Sequence, residues 1–243
     1  MAQPPRFYCP DLAAPGCTLD SAEARHARKV LRLGPGDAVL LFDGRGGLAP
    51  ATLESCEAGS AFCRLTGPVE RHRPPLPRLE IASAVPKAGR AGDMVNQLSQ
   101  LGVDRLIPLR TARAVVEPRD SKLDRFRRQT VEAAKQSHRL FLMQIDDVTD
   151  FADVLAEPAD LRLLAAPAAE WAAELPARLR SAGTVRVLVG PEGGWTGEEA
   201  AAAREAGYEP WALGPHVLRI ETAALAAAAV LRYLAHQPGR NRL

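Results

Sequence analysis

The stretch VRVLVGPEGGWTGEE (185–199) decides the fold. The mostly apolar VRVLVG predicts a buried strand, and the turn Gly190 to Gly194 ends it. Thr196 and Glu199 have the T-x-x-E spacing of a capping box, which predicts the start of a helix. A strand that passes through a tight turn into a capped helix is typical of an α/β fold with a parallel sheet.

The same alternation extends over the chain after residue 77. Strands are predicted at 79–85, 104–109, 140–145, 161–165, 185–190 and 209–214. Helices are predicted at 93–101, 121–138, 151–156, 168–181, 197–206 and 222–234. Such a sheet binds ligands outside the carboxyl ends of its strands. We therefore expect a site among the loops that follow Val85, Leu109, Ala165, Val189 and Leu213.

The segment GPVERHRPPLP (67–77) separates two composition patterns. Before it come a helix from Asp20 or Ser21 to Leu33 and short strands at 38–44, 51–56 and 61–66. A small β-barrel would close these strands without exposed edges. The predicted domains are therefore 1–70, a β-barrel, and 78–243, with a linker at 71–77.

The net charge of +2 in 243 residues argues at first against a nucleic-acid partner. The total conceals a split, however. Residues 105–139 hold ten Lys and Arg against four Asp and Glu, and residues 140–185 hold three against eight. The basic block is either a solvated helix face with ordinary salt bridges or a surface that binds phosphate.

The four cysteines, Cys9, Cys17, Cys56 and Cys63, form no C-x-x-C pair and no zinc-ligand spacing. Reduced thiols and no metal are expected.

The longest apolar run, Ala223 to Leu231, is too short to cross a membrane, and residues 1–15 lack a signal-peptide core. The expected location is the cytoplasm.

A second stretch, ALGPHVLRIETAALAAAAVLRYL (212–234), carries another glycine-proline loop followed by an alanine-rich helix. Thr222 is the predicted N-cap of that helix. Taken alone, GPEGG is also compatible with a plain strand-helix turn, and Arg219 with Glu221 with an ordinary pair at a helix start. Neither a Rossmann nor a P-loop motif occurs.

Together these two loops resemble the RsmE-type 16S ribosomal RNA uridine methyltransferases of the SPOUT superfamily. The resemblance covers nearly the whole chain and includes RHARKVLRLGPGD, the FDG turn, VPKAGRAGDMVNQLSQLGVDRLIPL and EAAKQSHR. The chain departs from the family around His138 and over 140–144, where members more often carry glycine and proline.

The resemblance implies an N-terminal PUA-like RNA-binding domain and a C-terminal domain whose last strands and helix form a trefoil knot. It also implies a homodimer and a pocket for S-adenosylmethionine. The implied pocket residues are Gly190, Glu192, Gly193, Gly194, Leu213, Gly214, Leu218, Thr222 and Ala223.

The implied reaction is methylation of N3 of a uridine in 16S ribosomal RNA or the small ribosomal subunit. Arg219 and Arg139 are candidate cations for the uracil oxygens, and Glu221 is the candidate proton acceptor. The candidate RNA-binding residues are Arg6, His26, Arg28, Arg32, Arg110, Arg125 and Arg128.

Three other functions remain open from the residues. One is a SPOUT methyltransferase that acts on transfer RNA or on a ribose hydroxyl. Another is a non-catalytic RNA-binding factor in ribosome assembly. The third is a small-molecule enzyme of the doubly wound class, with the basic block merely solvated.

Overall fold

The computed structural model describes residues 3–57, 59–87, 89–167 and 174–236. The chain divides into two compact units, one of residues 1–74 with 134–142, the other of residues 75–133 with 143–243. The division after Pro74 falls inside the predicted linker. The segment 134–142 groups with the first unit, although the sequence places it in the second domain.

The first unit is a six-stranded sheet with a short helical segment. Its strands are β1 (Arg6–Tyr8), β2 (Gly16–Leu19), β3 (Ala38–Phe42), β4 (Gly47–Cys56), β5 (Ala61–Leu65) and β6 (Glu70–Arg71). They pair in the order β1-β3-β4-β5-β2, and β6 pairs with β4. Asp20 caps helix α1 (Ser21–Arg25) by accepting from two backbone amides, and a π-helical turn (His26–Val30) continues it.

The segment 138–142 lies against the turn between β3 and β4. The Gly46 amide donates to the Leu140 carbonyl, and the Leu142 amide donates to the Gly44 carbonyl, both at 3.0 Å. The predicted strand 140–145 is therefore wrong for its first four residues, because the backbone of residues 140–142 pairs with this turn and β9 begins at Gln144. His138 has a φ of +60°, a conformation that favours glycine.

The second unit alternates strands and helices as predicted. Its strands are β7 (Arg78–Ser83), β8 (Arg105–Arg110), β9 (Gln144–Ile145), β10 (Thr149–Asp150), β11 (Leu161–Ala165), β12 (Thr184–Val189) and β13 (Glu209–Trp211). Its helices are α2 (Arg90–Gln100), α3 (Asp120–Ser137), α4 (Phe151–Ala156), α5 (Leu175–Ser181), α6 (Gly197–Glu205) and α7 (Ile220–Ala235). Residues 168–173 of the predicted helix 168–181 lie outside the described residues.

These strands form one parallel sheet in the order β10-β8-β7-β12-β11-β13, with β9 also on β8. Side chains alternate between its two faces, and helices cover both faces. Ile81 and Val187 pack with α2, α5 and α7, while Ala82 and Leu188 pack with α4 and α6. The predicted α/β architecture is confirmed, and the trefoil knot stays a prediction.

The last helix, α7, contacts α2, α5, β7 and β12, although the chain enters it from the edge strand β13. The loop before α7 therefore crosses the carboxyl edge of the sheet. Within the part of the chain that the structure describes, no helix is both long enough and apolar enough to span a bilayer.

Candidate functional site

A cavity of about 160 Å³ opens in the second unit at the carboxyl ends of β11, β12 and β13. Two glycine loops, one after β12 and one after β13, form most of its wall. The wall consists of residues 165–167, 189–192, 194, 195, 213, 214, 216–218, 220 and 223. This is the edge at which parallel sheets bind ligands, as the strand pattern predicts.

Local hydrogen bonds shape the loop after β12. The Gly194 amide donates to the Pro191 carbonyl at 2.8 Å, and Gly194 has a φ of +68°. The predicted capping box is confirmed, because the Glu199 amide donates to Thr196 Oγ1 at 3.1 Å and the Thr196 amide donates to Glu199 Oε2 at 2.8 Å. A tight turn and a doubly capped helix start hold this side of the cavity in one shape.

Seven of the nine predicted pocket residues line the cavity, namely Gly190, Glu192, Gly194, Leu213, Gly214, Leu218 and Ala223. Gly193 faces elsewhere, because a Cβ built on it would lie 3.3 Å from Arg113 Cδ. Thr222 is exposed and lies inside α7. The prediction that Thr222 caps this helix is wrong, since the helix begins at Ile220 and Arg219 is its N-cap.

Trp195 is a wall residue that the sequence analysis missed. Its indole lies so close to Gly190 that an added Cβ there would be 2.9 Å from Trp195 Cε2. The indole nitrogen donates to the Ala165 carbonyl at 3.2 Å, which links the loop after β12 to the end of β11. The feature of the sequence that could have indicated Trp195 is its position directly after GPEGG. His216 also lines the cavity, from the loop after β13.

The loop after β8 supports the cavity from outside. Arg113 donates from Nη1 to the Gly193 carbonyl at 2.7 Å, and the Ala112 amide donates to Glu199 Oε1 at 2.8 Å. These two contacts tie the glycine loop and the start of α6 to β8. The strand pattern predicts that the loop after Leu109 contributes to the site. A role for Arg113, which lies in that loop, could therefore have been predicted from the sequence.

Arg90, the first residue of α2, lies between two carboxylates. Its Nη1 is 3.1 Å from Glu221 Oε1, and its Nη2 is 4.0 Å from Glu192 Oε1. The side chain of Glu221 is 16% exposed, and its Oε2 is buried with no hydrogen-bond partner among the described residues. The expected alternative, a pair between Arg219 and Glu221, is replaced by the pair with Arg90. Arg219 is exposed and pairs with no carboxylate in the described part of the chain.

The third catalytic candidate, Arg139, belongs to the first unit, whereas Arg219 and Glu221 belong to the second. The RNA-binding candidates Arg6, His26, Arg28 and Arg32 also lie in the first unit. Arg28 and Arg32 are exposed on and just after the π-helical turn. Arg6 is less accessible, because it donates to the His138 carbonyl at 2.8 Å and burial lowers the pKa of its guanidinium.

The basic block divides into paired and unpaired cations. Arg110 binds Glu117 and Asp150, Arg127 binds Asp124 and Asp147, and Arg105 binds Asp146 and Glu157. Four of these carboxylates come from the acidic segment 140–185, so the two segments partly neutralise each other. Arg125 and Arg128 are exposed on α3 and have no ion pair with a described residue.

Comparison with known proteins agrees with this geometry. Residues 72–232 match the family of the RNA methyltransferase domain, and residues 19–66 match the RNA methyltransferase PUA domain. The chain is 33% identical to ribosomal RNA small subunit methyltransferase E of Synechocystis over 60% of this chain and 49% of that protein. The match thus spans about half the length of that relative.

Two further relatives match over nearly their full length. Ribosomal RNA small subunit methyltransferase E of Rickettsia conorii is 30% identical over 94% of this chain and 95% of that protein. The structure of the Neisseria gonorrhoeae protein of the same name, bound to S-adenosyl methionine, has a TM-score of 0.85 at 28% identity, over 96% of this chain and 98% of that one. The chain therefore belongs to the ribosomal RNA small subunit methyltransferase E family.

Proposed function

We propose that this protein transfers the methyl group of S-adenosylmethionine to N3 of a uridine in 16S ribosomal RNA. The observation that carries the proposal is the cavity between the two glycine loops, at the carboxyl edge of the sheet. The relatives named ribosomal RNA small subunit methyltransferase E and the cofactor bound to the Neisseria protein support methyl transfer to ribosomal RNA.

The residues of the cavity fit such a cofactor. Val189, Leu213 and Leu218 offer an apolar wall for a flat base, and glycines let a ligand approach the backbone. Glu192 places a carboxylate on the wall, which suits hydroxyl and ammonium donors and a cationic sulfur. When bound, S-adenosylmethionine supplies a methyl group on a sulfonium. We assign Gly190, Glu192, Gly194, Leu213, Gly214, Leu218 and Ala223 to its pocket.

Arg219 is our candidate for binding the uracil oxygens. It stands between Leu218 and Ile220, which both line the cavity, and its guanidinium is exposed and unpaired among the described residues. Loss of the N3 proton places negative charge on the two oxygens beside N3. A fixed cation there stabilises the transition state more than the ground state. Arg139 remains the proposed second cation.

Glu221 is our candidate for accepting the N3 proton. Arg90 binds one of its oxygens, while the other is buried without a hydrogen-bond donor in the described residues. A carboxylate oxygen with a free lone pair can take a proton from a donor that reaches it. N3 lies on the pairing edge of uracil, so the base has to be unpaired before it reacts.

The RNA contacts are proposed for the exposed cations Arg28, Arg32, Arg125 and Arg128. Arg110 contributes less in this proposal, because its guanidinium already binds Glu117 and Asp150. Arg6 and His26 remain weaker candidates. Because the proposed substrate is the small ribosomal subunit, the proposed location of the protein is the cytoplasm.

A homodimer is part of the proposal. Tyr233 on α7 and Val217 on the cavity wall are each 81% exposed, and a second chain that packs on them would bury both. Sedimentation at several concentrations tests it. A mass near twice the 26.1 kDa of one chain is expected, and a monomer at all concentrations would exclude the dimer.

Titration calorimetry tests the pocket. S-adenosylmethionine is added to the wild-type protein and to Gly190→Ala, in which the new methyl group would displace Trp195. Saturable binding to the wild type, weakened in the variant, is expected. No heat of binding to the folded wild type would leave an RNA-binding factor without a cofactor as the better account.

A further inference from the structure

We propose that Arg90 is a positioning residue that sets the shape of the cofactor cavity by joining the loop after β12 to the first turn of α7. The inference rests on the proposed function. Arg90 itself is not on the cavity wall. It acts through Glu192, which lines the cavity after β12, and through Glu221, which lies in the first turn of α7.

The position of Arg90 in its own helix does not explain its presence. It is the first residue of α2, where the helix dipole disfavours a positive charge. Gly89 precedes it as the N-cap and makes no side-chain cap. The two carboxylates from other segments offset this unfavourable placement, so the charge serves the contacts between segments.

The first turn of α7 needs an anchor from outside. Its N-cap, Arg219, makes no capping hydrogen bond with its side chain. Ile220 and Ala223 in that turn line the cavity, and Glu221 between them carries the pair with Arg90 at 3.1 Å. The pair therefore fixes the turn that contributes two wall residues.

Loss of Arg90 would leave Glu221 mostly buried without a cation. A buried carboxylate without a partner is unfavourable, and the turn relieves this by moving Glu221 toward water. Such a movement displaces Ile220 and Ala223 from the wall. Glu192 would lose its link to α2 at the same time. We expect weaker cofactor binding, and also slower methyl transfer, because Glu221 is the proposed acceptor of the N3 proton.

The experiment measures S-adenosylmethionine affinity by titration calorimetry for the wild type, Arg90→Met and Arg90→Lys. Arg178→Met is the matched control, because Arg178 has similar exposure and binds Glu209 away from the cavity. We expect Kd to rise about tenfold for Arg90→Met, less for Arg90→Lys, and to stay within about twofold for Arg178→Met.

A double-mutant cycle separates positioning from general stability. Glu221→Gln and Arg90→Met should each weaken binding, and the double variant should bind about as the Arg90→Met variant does. The KM for the cofactor should rise in Arg90→Met, and kcat should fall as well, because the same change moves Glu221. Arg178→Met should change neither. Equal losses in Arg90→Met and Arg178→Met, tracking their unfolding midpoints, would reduce Arg90 to a stability role and overturn the proposal.

Other outcomes also decide the matter. If Arg90→Met binds the cofactor as the wild type does, the proposal is wrong while the proposed function stands. If the wild type binds no cofactor, the proposed function fails first and the inference with it. Should Arg90→Met not fold, Arg90→Lys and Glu221→Gln carry the test, and wild-type affinity in both would contradict it.

Discussion

In the amino-terminal half of the second unit's sheet, charged side chains are buried and bound to one another, whereas at the carboxyl edge they reach across loops that surround a cavity. Arg186 on β12 is 1% exposed, and Glu80 on β7 is 3% exposed. Arg90 and Arg113, by contrast, hold the ends of loops from neighbouring segments. Both halves use arginine, but in different settings.

In the amino-terminal half the hydrogen bonds form a closed network. Arg186 donates to Glu80 Oε2 from Nε at 2.9 Å and from Nη2 at 2.6 Å, and also to Glu157 Oε2 at 2.9 Å. Its Nη1 donates to the Val154 carbonyl at 3.1 Å. Arg105 binds Glu157 and Asp146 beside it. No cavity-wall residue takes part, so this network stabilises the fold and leaves chemistry to the other edge.

The largest expected effect is on stability, from Arg186→Met. Removing this buried cation takes from Glu80 both of its hydrogen bonds with Arg186 and leaves Glu157 with Arg105 alone, and breaking a buried pair typically costs about 3–5 kcal/mol. Guanidinium unfolding measures the loss, and calorimetry of the folded fraction should give unchanged affinity for S-adenosylmethionine. A loss of affinity without a loss of stability would remove the distinction between the two halves.

Arg219→Met should have the opposite effect, because it should lower activity and leave stability unchanged. We expect kcat for methyl transfer to fall about 100-fold, the usual effect of losing one group that stabilises the transition state. The unfolding midpoint and the affinity for the cofactor should stay near the wild-type values, because Arg219 is exposed and lines no part of the cavity. Arg219→Met with wild-type kcat would remove this residue from the mechanism.

Two glycines of the loop after β12, Gly190 and Gly193, test which residues of that loop face the cavity. Gly190→Ala would push Trp195, and we expect about a tenfold rise in Kd for the cofactor. Gly193→Ala meets only the flexible side chain of Arg113 at 3.3 Å, and about a twofold change is expected. Calorimetry on both variants decides, and a larger effect at Gly193 would contradict the assigned wall.

Helix α3 carries both arginines that form ion pairs and arginines that do not, so it allows the same comparison within one helix. Arg125 and Arg128 are unpaired among the described residues, whereas Arg127 binds Asp124 and Asp147. Replacing Arg125 and Arg128 by Gln should weaken RNA binding and lower the salt slope of log K by about two. Arg127→Gln is the control, and an equal fall in slope for it would show that pairing does not decide which cations bind RNA.

The smallest effect is a pH dependence in the amino-terminal half. The hydrogen bond from Arg105 lowers the pKa of Glu157, against the effect of burial. The stabilisation by ionised Glu157 is therefore complete above its ordinary pKa of 4.5 and is lost as pH falls through the lowered value. Unfolding at about pH 6 and about pH 3 should show a smaller decline for Glu157→Gln than for the wild type.

The sequence predicts the strands and helices around the cavity well, because apolar periodicity and capping residues act locally. LRLLA (161–165) and the Thr196 capping box have the predicted bounds. It predicts pairing across the chain poorly. Arg110 and Arg127 meet carboxylates that lie 40 and 20 residues away, so only the folded sheet shows which cations are occupied.

The sequence likewise predicts only part of what is observed for the cavity residues. A loop motif identifies the segment that approaches a ligand but not which of its residues point inward, as Gly193 and Gly190 demonstrate. Arg90 belongs to a segment that the sequence analysis had already singled out. Its role depends on Glu192 and Glu221, which are more than 100 residues away along the chain.

One measurement tests the central claim most directly. The protein is incubated with small ribosomal subunits that lack the modification and with S-adenosylmethionine carrying an isotopic methyl label, and the RNA is digested and examined by mass spectrometry. Labelled 3-methyluridine at a single position in 16S RNA is the predicted result. Label on a ribose, in transfer RNA alone, or nowhere would contradict the proposed reaction.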